Sequence, residues 1–205
     1  MFFNSIDFIF FFIIILTALV IIKHRKFQHL LILLSSYFFI YYSSNYLIIL
    51  LVYSTILDFY VGKEIWKTQN ITKKKILLIL SLVGNLGLLG FFKYADFAIF
   101  QINLLGNNFN LSQIEFLNLA LPIGISFYTF QTIGYVVDVY RGKLKPTESL
   151  REFAIFVSFF PQLVAGPIIK AREFLPQLQE KFQKYETGIR LRQIIIKNSN
   201  LKIGI

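Results

Sequence analysis

All 21 lysines and arginines of this chain fall in five segments that separate its apolar runs. That arrangement constrains the fold more than any other feature. Basic residues gathered between apolar stretches are the pattern of a membrane protein, whose cytoplasmic loops carry Lys and Arg. The balance of residue types agrees. Of the 205 residues 56% are hydrophobic, and 16% are charged, against about 25% in soluble domains. The net charge of +10 raises nucleic acid as a partner, but its division among the apolar runs excludes the continuous basic face that such binding needs.

Residues 6–22 form the first apolar run, followed by Lys23, Arg25 and Lys26. A signal peptide has the reverse charge order, so this reads as a retained span with its N-terminus outside. Residues 30–61 are apolar apart from Asp58 and are interrupted at Ser43-Ser44-Asn45. Residues 62–75 carry five lysines. With both basic flanks cytoplasmic, the stretch between them crosses twice or returns as a tilted hairpin. Residues 76–92 are the next span, 93–115 read as external, and 116–140 return to the cytoplasm. Residues 153–169 are apolar but contain Pro161, Gly166 and Pro167, and both flanks are basic. A proline-broken segment with both ends on one side reads as a re-entrant loop, which survives at membrane depth only inside protein or beside a water-filled cavity. The expected architecture is all-α: a polytopic transmembrane helical bundle with a re-entrant segment, and no separate soluble domain.

Little in the sequence announces chemistry. The absence of cysteine excludes disulfides and thiolate metal sites. No nucleophile elbow, metal-ligand cluster or paired carboxylate occurs, so no catalytic residue and no metal ligand is assigned. His24 and His29 lie in a basic segment without a neighbouring carboxylate and are not assigned as bases. Gly84, Gly87 and Gly90 match neither nucleotide fingerprint and read as close helix packing. Asp58 reads as an interfacial partner of Lys63, with a functional carboxylate as the alternative. Tyr128, Gln131, Tyr135 and Asp138 stand three or four apart and share a helical face. Asp138 can pair with Arg141 at i,i+3. The face reads either as the lining of a tunnel or as interhelical hydrogen bonding.

Three blocks of sequence carry a resemblance: Leu121-Pro122-Ile123-Gly124-Ile125-Ser126-Phe127-Tyr128-Thr129-Phe130-Gln131 with Gly134-Tyr135-Val136-Val137-Asp138-Val139-Tyr140-Arg141-Gly142; Phe159-Phe160-Pro161-Gln162-Leu163-Val164-Ala165-Gly166-Pro167-Ile168 with Phe174-Leu175-Pro176-Gln177-Leu178; and Phe91-Phe92-Lys93-Tyr94. Together they resemble the membrane-bound O-acyltransferase family, in its branch of alginate O-acetyltransferases, and cover most of residues 91–179. The resemblance implies a multi-pass protein of the bacterial plasma membrane with a tunnel across the bilayer. It implies a cytoplasmic acyl thioester, such as acetyl-CoA, as donor substrate, with no bound cofactor. It implies a cell-surface polysaccharide, or a periplasmic or extracellular acyltransferase partner, on the outer side. Tyr128, Gln131, Asp138, Arg141, Pro161, Gln162, Gly166 and Pro167 are the positions expected to shape the tunnel.

The chain departs from that family in length and in chemistry. Family members are about twice as long and carry a catalytic histidine in their C-terminal half, with which neither His24 nor His29 aligns. Residues 1–191 read as an N-terminal part of such a membrane domain. Residues 192–205 read as an atypical tail, out of frame or truncated, so that the chain alone is expected to be inactive. The competing expectations are a transporter-like or scaffold membrane protein, and an inactive fragment.

Overall fold

The computed structural model describes residues 5–107, 112–122, 124–166 and 169–179, and among these it is entirely helical or irregular, with no strand. The helices are α1 (Ile6–Ile21), α2 (Arg25–Ser44), α3 (Ile48–Lys67), α4 (Ile71–Asn107), α5 (Ile125–Tyr140), α6 (Leu150–Ser158), α7 (Phe160–Ala165) and α8 (Ala171–Gln179). Two helical stretches, Arg25–Lys67 and Ile71–Asn107, are long and apolar enough to cross a membrane. The shorter apolar helix α1 turns Ile6, Ile9, Phe10, Ile13 and Ile14 outward, all more than half exposed, a surface that suits lipid.

Side-chain contacts fix the direction of each helix. Gln28 Nε2 donates to the carbonyls of Leu19 and Ile22, and Phe8 meets Phe39, so α1 and α2 are antiparallel. The stretch 25–67 is divided by a 3-10 turn at Asn45–Leu47, where the sequence places its interruption. Asn45 has φ 51°, a conformation that Asn tolerates better than most residues. Arg25 at the start of α2 meets Glu152, and Lys63 near the end of α3 reaches the Glu148 carbonyl. The two helices therefore begin and end at the same level. Ser81 bonds Asp58, and Gly84 lies against Leu57 and Tyr53, which sets α4 antiparallel to α3. Thr132 lies against Asp58 and Tyr135 against Gly62, so α5 runs parallel to α3. The basic segments at 23–26, 63–75 and 141–151 thus gather at one end of the bundle.

Three sequence expectations need correction. The span at 76–92 is part of one unbroken helix of 37 residues, because no proline interrupts 71–107 and a single Lys93 and Asp96 do not stop a helix. The segment beyond it doubles back along α4: the Asn103 side chain donates to and accepts from the Ile114 backbone at 2.8 Å each, and Asp96 accepts from Leu117 N. The span at 116–140 is helical only from Ile125. Pro122 and the left-handed Gly124 (φ +77°) precede it, and neither continues a helix backward. Of the three glycines of α4, only Gly84 is a close packing site: a Cβ there would meet Leu57 Cδ2 at 2.9 Å, whereas at Gly87 and Gly90 it would meet nothing within 4 Å. The tail at 192–205 and Pro167 lie outside the described residues.

Candidate functional site

Residues 150–165 would make one short helix were it not for Pro161. Its ring clashes with the carbonyl four residues back and it offers no N–H, so α6 ends at Ser158 and α7 restarts with the proline in its first turn. Phe159 stands at the break with ψ 99°. The broken pair lies antiparallel against α5 in one continuous register. Tyr135 packs against Phe153 with ring centroids 4.4 Å apart and planes tilted by 43°, Gln131 Nε2 donates to the Phe156 carbonyl at 2.9 Å, and Gly124 faces Leu163. By that register Tyr128 is level with the break.

A break of this kind exposes backbone polar groups that need partners. Here side chains from neighbouring helices supply them. Gln131 serves the Phe156 carbonyl, and Ser36 of α2 accepts from Phe160 N at 3.4 Å. Ser36 is eleven residues along α2 from Arg25, or about 16 Å. The start of α7 is walled by aromatic rings: Phe8, Phe11, Phe12 and Phe39 all lie 5.4–6.4 Å from Phe160. Beyond the break α8 brings the chain back. Phe174 contacts Phe156 and Phe159, and the Leu178 carbonyl accepts from Arg25, the same guanidinium that meets Glu152 at the start of α6.

The sequence-based candidates divide into two groups. Tyr128, Gln131 and Gln162 are buried along the α5–α6–α7 seam, with half-buried Pro161 and Gly166 on α7 and at its end. Tyr128 Oη and Gln162 Oε1 are buried and have no hydrogen-bond partner among the described residues. Tyr135 extends the row toward the basic end, its hydroxyl beside the Thr147 backbone but without a well-formed hydrogen bond. Thr147 lines an open cleft of about 500 Å³ at that end, together with Arg25, Lys145 and Glu152. Asp138 and Arg141 are not part of this row. Arg141 is exposed at the C-cap of α5, Asp138 is only partly buried, and no ion pair joins them among the described residues. Arg141 keeps helical backbone, its N–H bonded to the Val137 carbonyl, so the spacing permits the pair, but the exposed guanidinium does not take it up.

Sequence reasoning missed a second polar cluster. Asp58 is not paired with Lys63, whose ammonium lies over the Phe59 ring and on the Glu148 carbonyl. Five residues turn a helix by about 500°, which leaves the two side chains about 140° apart. Asp58 instead points between α3, α4 and α5 and is fully buried. Ser81 Oγ donates to Oδ1 at 2.7 Å, Asn85 Nδ2 to Oδ2 at 2.8 Å, and Thr132 lies against the same carboxylate. Ser81 and Asn85 are four apart on α4, a helical polar stripe within an apolar run, and that spacing was the available signal. Among the described residues no three His, Asp or Glu side chains converge into a metal-binding group.

Comparison with known proteins gives several relatives. The peptidoglycan O-acetyltransferase of Helicobacter pylori is 37% identical over 159 residues, which is 66% of this chain and 29% of that protein. The probable alginate O-acetylase AlgI of Pseudomonas aeruginosa is 38% identical over 128 residues, or 62% of this chain and 25% of that protein. The teichoic acid D-alanyltransferase of Bacillus subtilis is 33% identical over 69 residues, 34% of this chain and 18% of that protein. The chain thus spans under a third of the length of the curated relatives it matches. No family model and no solved structure matches it.

Proposed function

We propose that this chain, which belongs to the membrane-bound O-acyltransferase family, forms the donor-side part of an O-acyltransferase of the bacterial plasma membrane. The observation that carries this reading is the buried row Tyr135–Gln131–Tyr128, which leads from the cleft at the basic end to the broken helix α6–α7. The basic end faces the cytoplasm, in keeping with the charge rule for membrane loops. α1 to α5 cross the bilayer. α6 enters from the cytoplasmic end, breaks at Phe159 and returns through α8. The break, level with Ser36 at about 16 Å from Arg25, then lies near the middle of a hydrocarbon core of roughly 30 Å.

In this reading the donor is an acyl thioester such as acetyl-CoA, approaching the cleft beside Arg25 and Lys145. The acceptor is a hydroxyl of a cell-surface polysaccharide, or of an extracellular acyltransferase partner, reached from the opposite side. Tyr128 Oη and Gln162 Oε1 are buried polar atoms with unused hydrogen-bonding capacity, suited to orient a passing acyl group. Attack by a hydroxyl on a thioester needs a base within hydrogen-bond reach. None of Tyr128, Gln131 and Gln162 is suited to that role, and the base is expected from the part of the enzyme that the relatives carry beyond their matched region.

Labelled acetyl thioester supplied to the cytoplasmic face of membrane vesicles tests the assignment. The chain alone is expected to transfer no label to polysaccharide. Co-expressed with the unmatched remainder of the Helicobacter pylori relative, it is expected to form base-labile acetyl esters, and only when both pieces are present. Solute uptake by the chain alone, with no ester formed by the pair, would favour a transporter instead.

A further inference from the structure

Asp58 lies outside the row that the acyl-transfer reading uses, and its surroundings pose a separate question. Its carboxyl group is fully buried at the α3–α4–α5 junction. A carboxylate removed from water costs several kcal/mol unless a positive charge compensates it. Among the described residues no lysine, arginine or histidine nitrogen comes within 4.0 Å of it. The cation closest in sequence, Lys63, is turned onto Phe59 and the Glu148 carbonyl. α4 supplies Ser81 and Asn85 and has no ionisable residue between Lys75 and Lys93. α5 supplies Thr132 and one titratable neighbour, the Tyr135 hydroxyl, which brings no positive charge. α6 meets α3 through Phe153 and Phe59.

What surrounds the carboxyl group is oxygen-rich and neutral. Ser81 Oγ and Thr132 Oγ1 lie against it. Asn85 is fully buried and its Oδ1 has no partner among the described residues, while its Nδ2 is divided between Asp58 and the Ser81 carbonyl. Ser54, one turn before Asp58 on α3, is buried as well. Hydroxyl, amide and carboxylate oxygens without nitrogen or sulfur ligands suit a small hard cation. Ionisable groups inside membrane helices mark ion or proton sites when no fixed partner neutralises them.

We propose that Asp58, with Ser81, Asn85 and Thr132, forms a membrane-embedded site for a small monovalent cation, either a proton or sodium. Nothing in this assignment depends on acyl transfer. The site stands or falls on charge compensation at Asp58.

An apolar carbodiimide tests it, since that reagent modifies only protonated carboxyl groups that it reaches from lipid. The full chain in membranes is treated and the modified peptide is read by mass spectrometry. Labelling is expected on Asp58 and not on the exposed Glu148 at the basic end. With a proton as ligand, sodium has no effect, and labelling falls by about tenfold per pH unit once the group ionises. With sodium as ligand, saturating sodium at constant pH suppresses labelling about tenfold or more and raises the thermal midpoint. Asp58→Asn removes the label in either case. Should that variant fail to fold, the wild-type peptide assignment and the infrared band of a protonated carboxyl group still decide the matter. A folded wild-type chain that takes no label at Asp58, shows no such band and gains no stability from sodium would overturn the site.

Discussion

Replacing Phe153 by alanine is expected to cost about 3–5 kcal/mol, the range for deleting a buried aromatic ring, and so to remove most of the stability of a domain held by about 5–15 kcal/mol. Phe153 has no exposed surface. Its ring contacts Phe59 of α3 at 6.0 Å, Tyr135 of α5 at 4.4 Å and Phe156 of α6 at 6.0 Å. Three helices therefore lose a common contact at once. Inside a bilayer the hydrophobic effect gives little preference for helix–helix over helix–lipid contact, so dispersion packing of this kind carries the association. The measurement is a denaturant titration in detergent, with Phe153→Leu as the comparison. The leucine variant should recover more than half of the loss, because it refills most of the volume. A Phe153→Ala chain as stable as wild type would show that α6 is not seated between α3 and α5 as described.

The second large effect is expected at Gly62. A Cβ added there would lie 2.9 Å from Tyr135 Cε1 and 3.2 Å from its hydroxyl oxygen. The ring cannot yield freely, since it also packs against Phe153, with ring centroids 4.4 Å apart. Overpacking of this sort costs about 1–3 kcal/mol. Gly62→Ala should therefore lower stability, and Gly62→Val should do so further. The cost should be coupled to its neighbour. In a Tyr135→Leu background the same Gly62→Ala change should be nearly neutral, with a coupling of about 0.5–3 kcal/mol in a double-mutant cycle. Trp66, the single tryptophan, lies one turn beyond Gly62 on α3 and gives a fluorescence readout of that helix end. Equal costs in both backgrounds would show that the two residues do not meet.

These two residues show what was legible in the sequence and what was not. The interruption at Ser43-Ser44-Asn45 and the break at Pro161 were legible, because helix-breaking chemistry is local. The gathering of basic segments at one end was legible because the charge rule acts on loops, whatever the helix packing. The face shared by Tyr128, Gln131 and Tyr135 followed from helical spacing alone. Its role did not. Gln131 serves the Phe156 carbonyl, 25 residues away in sequence, and no pattern within α5 points there. Asp58 is the plainest case. Its partners Ser81 and Asn85 stand 23 and 27 residues on, whereas Lys63 is near in sequence but on the wrong side of the helix. Gly62 and Phe153 are silent in the sequence too, since a small and a large residue fit only once α3, α5 and α6 are set side by side.

The central claim is that 148–179 enters the membrane from the basic end and returns to it. Because the chain has no cysteine, single cysteines report position without background. Glu148→Cys before α6, Gln177→Cys near the end of α8 and Gln113→Cys at the far end of α4 place a thiol at exposed positions on each side. A membrane-impermeant maleimide applied to inside-out vesicles is expected to label Cys at 148 and at 177, and that at 113 only in right-side-out vesicles. Labelling of 148 and 177 from opposite faces would mean that the broken helix crosses the bilayer, and would contradict the re-entrant arrangement on which the proposed acyl path depends.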